Sequence, residues 1–373
     1  MSVERVAVVG AGTMGSGIAQ LAALGGYRVL LYDAVPEAAE AGAVRIGEAL
    51  AKGVSRGRWS DEEADAASDR VRASAELGEL AGSELVIEAA PERLELKREI
   101  FGQLAQACGP EAVLATNTSS LRVSEIAAGV PAPKRVVGMH FFNPPPLMKL
   151  VEVVAAERSS EEALARATEV AEGMGRTPIR AADSPGFVAN RLARPFALES
   201  LRTLADGVAS VERIDRIVRL GGGFRMGPFE LIDLIGLDVN LEIARSFFLQ
   251  GGEPERWRPN PIQERLVAEG RLGRKSGRGY HDYGEGRERE IDPELGILAP
   301  TLDAEKLALV DPAAEEVLGR LFAQIANEAT FAIEEDIASP EDMEKAMRLG
   351  FNWPAGPLRL SELIGARRAV DLL

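Results

Sequence analysis

The sequence predicts an α/β half followed by an all-α half. Three observations carry that reading. A glycine-rich turn, GAGTMG at 10–15, joins the first apolar strand to the first helix. Short apolar strands then alternate with amphipathic helices as far as residue 173, the order that builds a sheet covered by helices. From Gly186 onward the strand pattern stops, and one helical stretch occurs twice.

At 373 residues the chain is long enough for two or three domains, and 46% hydrophobic content is ordinary for a globular protein. A net charge of −15 argues against nucleic acid or an anionic membrane as a partner held by bulk charge, but leaves room for a local basic patch. Cys108 is the one cysteine, which excludes an intramolecular disulfide and suits a reducing compartment. With two histidines besides, a structural zinc site is not expected. MSVERVAVVG has no signal-peptide character, and no apolar run is long enough to span a bilayer. A soluble, cytoplasmic protein with no membrane partner is expected.

Residues 3–9 read as the first strand and SGIAQLAALGG as the first helix, with Gly10, Gly12, Thr13, Met14 and Gly15 at their junction. A second strand, 27–32, ends in Asp33. This order fits a dinucleotide-binding unit. Gly10 permits a tight turn, Gly12 lets the backbone approach a pyrophosphate, and Gly15 lets helix and strand pack closely. The helix N-terminus favours phosphates, and Asp33 would bind ribose hydroxyls. Ala34 follows and no basic residue stands beside it in sequence, so NAD is expected over NADP. A glycine-rich turn without a ligand is the alternative.

A helix at 36–51 is read as ending at Lys52-Gly53. Lys52, Arg56 and Arg58 make a basic loop that suits ligand phosphates or plain solvation. Ser60 with Glu63 fits a capping box. A strand at 84–90, a helix with Pro91 near its start and a strand at 111–116 follow. The last leads into Asn117-Thr118-Ser119-Ser120, a polar cluster where open α/β sheets bind ligands. Ser124 is read as the cap of the next short helix.

The centre of the site is RVVGMHFFNPPPLMKLVEVV, residues 135–154. Three consecutive prolines cannot continue a strand, so the chain turns there and two flanking strands can bring His140 and Glu152 together. A carboxylate on one ring nitrogen fixes the tautomer and raises the basicity of the other, as a base acting on an alcohol requires. A hydrogen-bonded core histidine and an edge glutamate are the alternative.

In the second half, helices are read at about 186–206, 210–219, 228–249 and 260–269, with Ser184-Pro185 as cap and first helical residue. Residues 209–236 align without a gap to 338–365, sharing Leu220/Leu349, Gly221/Gly350, the Gly-Pro pairs at 227 and 356 and the Leu-Ile-Gly endings. The same offset pairs Glu199 with Glu328 and Asn190 with Gly319. The second copy is read as structural.

Together GAGTMGSGIAQ, Asp33, NTSSL, HFFNPPPLMKLVEV, DSPGFVANR and GPFELIDLIGLD resemble, in order, the L-3-hydroxyacyl-CoA dehydrogenases of fatty-acid β-oxidation. With that resemblance the chain divides into a Rossmann-type domain at 1–184, a helical domain at 185–283, a linker at 284–312 and a second partial helical copy at 313–373. The resemblance implies NAD-dependent, reversible oxidation of an acyl-CoA substrate, with His140 as base and Glu152 its orienting partner. Ser119 would hydrogen-bond the substrate's 3-oxygen, and Asn190 would help hold histidine and substrate. Asn143 falls near the nicotinamide, Glu92 and Lys97 near the cofactor's ribose and nicotinamide, and Asn117 is grouped with the cofactor residues. Lys52 and Arg56 fall where the family meets the CoA phosphates. Substrate and nicotinamide would meet in the cleft between domains.

Two departures stand out. The second copy is a feature of multifunctional members, yet from this sequence no hydratase region is expected before it. It is expected to pack on the first copy in place of a dimer partner, giving a monomer, with a homodimer as the alternative. Association with a separate hydratase or thiolase is compatible with either. The other departure is His281 in GRGYHDY, where the family usually has an aromatic residue; it is given no catalytic role. An L-gulonate-type dehydrogenase and a crystallin-like NAD-binding protein are the competing readings.

Overall fold

Continuous apolar runs such as VAVV and LVIE can be strands only where both faces are covered, and all of their residues are buried. In the computed structural model, which describes residues 3–284 and 311–373, the chain divides into two units, Met1–Phe187 and Val188–Leu373. The expected linker, 284–312, lies outside the described residues except at its ends.

The first unit holds β1 (Arg5–Val9), β2 (Arg28–Tyr32), β3 (Val71–Ser74), β4 (Leu85–Glu88), β5 (Val113–Thr116), β6 (Val136–Phe141), β7 (Leu150–Ala155) and β8 (Thr177–Ala182). They form one sheet in the order β3-β2-β1-β4-β5-β6-β7-β8. The strands through β6 are parallel; β7 runs antiparallel to β6 and parallel to β8. The chain order reverses between β1 and β4, and ligands bind such sheets at the carboxyl ends beside that reversal.

The sequence reading missed β3 and β8, and both are edges of the sheet. Edge strands are short or carry polar residues and proline, so they lack a buried strand's apolar run. Here β3 is VRAS and β8 is TPIRAA.

Helices α1 (Thr13–Leu24), α2 (Pro36–Ser55), α3 (Asp61–Asp69), α4 (Leu94–Ala107), α5 (Val123–Ala127) and α6 (Glu161–Gly173) accompany the sheet. The capping box of α3 forms, with Glu63 N on Ser60 Oγ at 3.1 Å and Ser60 N on Glu63 Oε2 at 2.7 Å. Two expected ends are corrected. The helix α2 does not stop at Lys52-Gly53 but runs to Ser55; Gly53 is there because a Cβ would overlap the Trp59 indole, whose Nε1 donates to Leu50 O at 2.7 Å. Nor does Ser124 cap α5. The Asp183 carboxylate does, accepting from Val123 N and Ser124 N at 2.8 Å each, while Ser124 Oγ accepts from Glu157 N.

The second unit holds α7 (Ala189–Leu192), α8 (Arg194–Ala205), α9 (Val211–Leu220), α10 (Pro228–Ile235), α11 (Leu237–Gln250), α12 (Pro261–Ala268), α13 (Ala314–Glu334), α14 (Pro340–Gly350), α15 (Pro357–Ile364) and α16 (Ala366–Leu372). Ser184-Pro185 does not open a helix: Gly186 and Phe187 take φ of 70° and 52°, outside helical geometry, and α7 starts at Ala189. The expected 228–249 helix is two helices, split at Gly236 with φ 104°.

The repeat is physical as well as textual. In the first copy Asp215 on α9 accepts from Phe229 N and Glu230 N, capping α10. In the second, Glu344 at the matching place on α14 accepts from Gly356 N, Leu358 N and Arg359 N, capping α15. The copies also contact each other reciprocally. Arg191 Nε pairs with Glu328 at 2.7 Å, and the matching Arg320 Nε pairs with Glu199 at 2.8 Å. Phe224 and its counterpart Trp353 face each other edge-on at 5.3 Å. Residue-to-counterpart exchange of this kind is the signature of a two-fold interface. Among the described residues no helix is long and apolar enough to cross a membrane.

Candidate active site

The chain leaves β1 through Gly10, whose φ of 99° glycine adopts without a steric penalty. A Cβ on Gly10 would lie 2.7 Å from Ala89 O, and one on Gly15 only 1.7 Å from Gly10 O. Gly10 and Gly15 are thus demanded by the turn itself. A Cβ on Gly12 would meet no protein atom within 4 Å, so its bareness serves approach from outside. Helix α1, with Thr13, Met14 and Gly15 as its first residues, has no side-chain cap and no acid in its first turn. Its positive end is therefore open to an anion. Asp33 accepts from Ala11 N at 2.8 Å and Val35 N at 3.0 Å, and each oxygen keeps acceptor capacity for a ribose hydroxyl. These residues fit a bound dinucleotide. Arg45 on α2, which the sequence reading overlooked, grips the same turn through Nη2 to Ala11 O at 2.5 Å.

Beside it, the ends of β4 and β5 carry a buried polar cluster. Glu88, fully buried, accepts from Lys97 Nζ and Thr116 Oγ1 at 2.7 Å each and from Ala90 N at 2.6 Å. Lys97 is itself buried, with Glu92 Oε2 at 3.4 Å. Glu92 Oε1 gathers the loop after β5, accepting from Thr118 Oγ1, Ser119 N, Ser120 N and Ser120 Oγ at 2.6–3.0 Å. Burial pushes the Glu92 carboxyl up, but the Lys97 charge and these hydrogen bonds outweigh it and hold it below the usual carboxylate range. Ser119 is exposed, and among the described residues its hydroxyl makes no hydrogen bond.

His140 and Glu152 are directly opposite partners on β6 and β7, so the strand register aims both side chains at one face. Nδ1 lies 2.6 Å from Glu152 Oε2, with the carboxylate fully buried and the imidazole nearly so. A carboxylate accepts, so Nδ1 carries the proton and the lone pair sits on Nε2. Among the described residues Nε2 has no hydrogen-bond partner. Phe142 and Phe187 pack against the imidazole with centroids 4.5 and 5.8 Å away. Beyond the end of β5 the Asn117 side chain continues the ladder, Oδ1 accepting from Phe141 N at 2.8 Å. The NPPP turn, with Asn143 exposed at its start, rests on α1: a Cβ on Gly17 would lie 3.0 Å from Pro145. Arg176 Nη1 also holds that turn through Met148 O at 2.9 Å.

This geometry agrees with what the chain resembles. Residues 5–184 match the family model described as 3-hydroxyacyl-CoA dehydrogenase, NAD binding domain, and residues 186–283 and 317–373 match its C-terminal domain. The chain belongs to the 3-hydroxyacyl-CoA dehydrogenase family. It is similar to 3-hydroxyadipyl-CoA dehydrogenase of Escherichia coli K12, 37% identical with 100% of this chain and 93% of that protein covered. It is 44% identical to a probable 3-hydroxybutyryl-CoA dehydrogenase of Bacillus subtilis, over 76% of this chain and 99% of that one. A crystal structure of 3-hydroxybutyryl-CoA dehydrogenase from Escherichia coli K12 superposes with a TM-score of 0.90 at 36% identity, covering 100% of this chain and 94% of that chain. The first unit of this 3-hydroxyacyl-CoA dehydrogenase is thus an NAD-binding domain, and the enzyme is NAD-dependent.

Among the described residues Lys52 and Arg56 make no side-chain hydrogen bond or ion pair to the cluster around His140. Lys52 and Arg56 are exposed at the C-terminal end of α2. Lys52 stands about 10 Å along the helix beyond Arg45, at 1.5 Å per residue. Asn190 lies on α7, in the second unit. Besides Arg45, the sequence reading of this dehydrogenase missed Glu88, Thr116, Asp183 and Phe187. A lone acid ending an apolar strand, as in LVIE, was the available signal for Glu88; nothing local marks the other three.

Proposed function

We propose that His140 is the base that takes the proton from the 3-hydroxyl of an L-3-hydroxyacyl-CoA, through Nε2. The observation that carries this is the 2.6 Å pair with buried Glu152, which fixes the tautomer and stabilises the imidazolium formed. When bound, NAD accepts the hydride from C3. The hydroxyl proton goes to His140 and a ketone remains; in reverse, His140 returns the proton to the ketone oxygen. Ser119, held by Glu92, is assigned the hydrogen bond to the 3-oxygen. Asn190 is assigned to the substrate, Asn143 and Asn117 to the nicotinamide side, and Asp33 to the ribose. Lys52 and Arg56 remain assigned to CoA phosphates on the resemblance alone. The substrate class follows the relatives: among those that cover the whole chain, one is named for 3-hydroxyadipyl-CoA and another for 3-hydroxybutyryl-CoA. The cytoplasm is the proposed compartment.

Consumption of NADH with acetoacetyl-CoA tests the reading. Turnover is expected with NADH and at least about tenfold less with NADPH, since Asp33 repels a 2′-phosphate. Turnover of L-gulonate with NAD, and none of acetoacetyl-CoA, would replace this reading with the sugar-acid one. Bound NADH without any turnover would favour the non-catalytic one.

We further propose that the second copy stands where a dimer partner would. The reciprocal Arg191–Glu328 and Arg320–Glu199 pairs support this. Light scattering on the full chain is expected to give the monomer mass; a dimer joined through the helices of the first copy would overturn it.

A further inference from the structure

Three arginines of the second unit lie on one run of aromatic rings, and two of them are neutralised. Arg191 sits 5.3 Å from the Trp257 ring and pairs with Glu328 and Glu335. Arg256 sits 4.7 Å from the same ring and pairs with the same two carboxylates. Arg194, at the start of α8, differs. Its guanidinium lies 5.2 Å from the Phe247 ring, which itself meets Trp257 edge-on at 5.7 Å. Its Nε reaches only the Asn190 carbonyl, at 3.4 Å, and its Nη1 is buried with no hydrogen-bond partner. Among the described residues no carboxylate pairs with it, and the residue is 8% exposed. Burial lowers its pKa to about 10, so it is still a cation at neutral pH. A buried cation without a counter-ion destabilises a fold strongly, which makes an anionic ligand the natural reason for keeping one.

We propose that Arg194 binds the terminal carboxylate of a dicarboxylyl-CoA substrate, and so selects acyl chains that end in an anion. This rests on the reading that places Asn190 at the substrate. Asn190 and Arg194 are one helical turn apart, with Ala193 between them in αR geometry, so their Cβ atoms stand about 5–6 Å apart on one side. In an adipyl chain the carboxylate carbon lies three bonds beyond C3, roughly 4 Å when extended. Arg194 Nε also donates to Asn190 O at 3.4 Å, which keeps the guanidinium beside that turn. The phosphates of CoA are a poorer match. They extend from the thioester, away from the chain's free end, and their several charges call for several donors rather than one guanidinium beside a phenyl ring.

The test compares initial rates of NADH formation with 3-hydroxyadipyl-CoA and 3-hydroxyhexanoyl-CoA, which differ only at that end. Wild type is expected to favour the adipyl substrate in kcat/KM by about 10–100-fold, the worth of a charged hydrogen bond. Arg194→Met is expected to collapse that ratio through KM of the adipyl substrate, and Arg194→Lys to keep part of it. Equal preference in wild type, or equal loss on both substrates in Arg194→Met, would overturn the assignment; the second result would also be that of a CoA-phosphate contact. Should Arg194→Met not fold, the wild-type ratio and Arg194→Lys decide. No turnover of either substrate or of acetoacetyl-CoA would instead overturn the functional reading on which the inference rests.

Discussion

His140→Ala is expected to lower kcat for acetoacetyl-CoA reduction by about 10²–10⁴-fold, the usual worth of a positioned general acid or base. NADH binding, followed by fluorescence, is expected to persist, because the glycine turn and Asp33 stand on β1 and β2, away from the β6–β7 pair. The loss comes from the proton alone: without an imidazole the 3-oxygen has no group of suitable pKa to exchange with. Glu152→Gln acts on the same step differently. An amide can present its NH₂ to Nδ1, which moves the ring proton to Nε2 and blocks the base; about 10²-fold is expected, since no charge then supports the imidazolium. His140→Ala retaining a rate within about tenfold of wild type would remove it as the base. A near-neutral Glu152→Gln would reduce Glu152 to a packing residue.

The second large effect is on stability. Lys97→Met leaves Glu88, fully buried at the end of β4, without its cation. Breaking a buried pair from one side costs about 3–5 kcal/mol. For a unit of this size that is roughly 10 °C in melting temperature. Ala90 N hangs on the same carboxylate, and the neighbouring Ala89 O closes on Gly10, so NADH affinity is expected to fall as well. The double substitution Glu88→Gln with Lys97→Met is expected to recover most of the melting temperature, because it removes the charge together with its partner. A melting temperature for Lys97→Met within about 2 °C of wild type would show that the ion pair stabilises little.

Much of this was legible in the chain because it is local. Periodicity, the GAGTMG turn, Asp33 at a strand end and the NPPP break are properties of short segments, and short segments set strand, helix and turn. The break between two apolar runs was enough to expect two flanking strands that bring His140 and Glu152 together; that they pair antiparallel came from the structure. The gapless repeat was legible for the same reason, being a comparison of text with text.

Other features depend on residues far apart in sequence. Asp183 caps α5 from the far end of the sheet, where Ser124 looked sufficient. Gly53 answers to Trp59 rather than to a helix end. Lys97, expected beside the cofactor, is buried on Glu88, and Phe187 reaches His140 only because two left-handed residues redirect the chain after β8. The edge strands β3 and β8 needed their neighbours to be strands at all. By itself the sequence determined the order of elements, the dinucleotide turn and the candidate base with its carboxylate. Tertiary structure alone decided which charges are buried and with what partner, because burial and ion pairing are settled by whatever the folded chain brings alongside, not by the residues next in line.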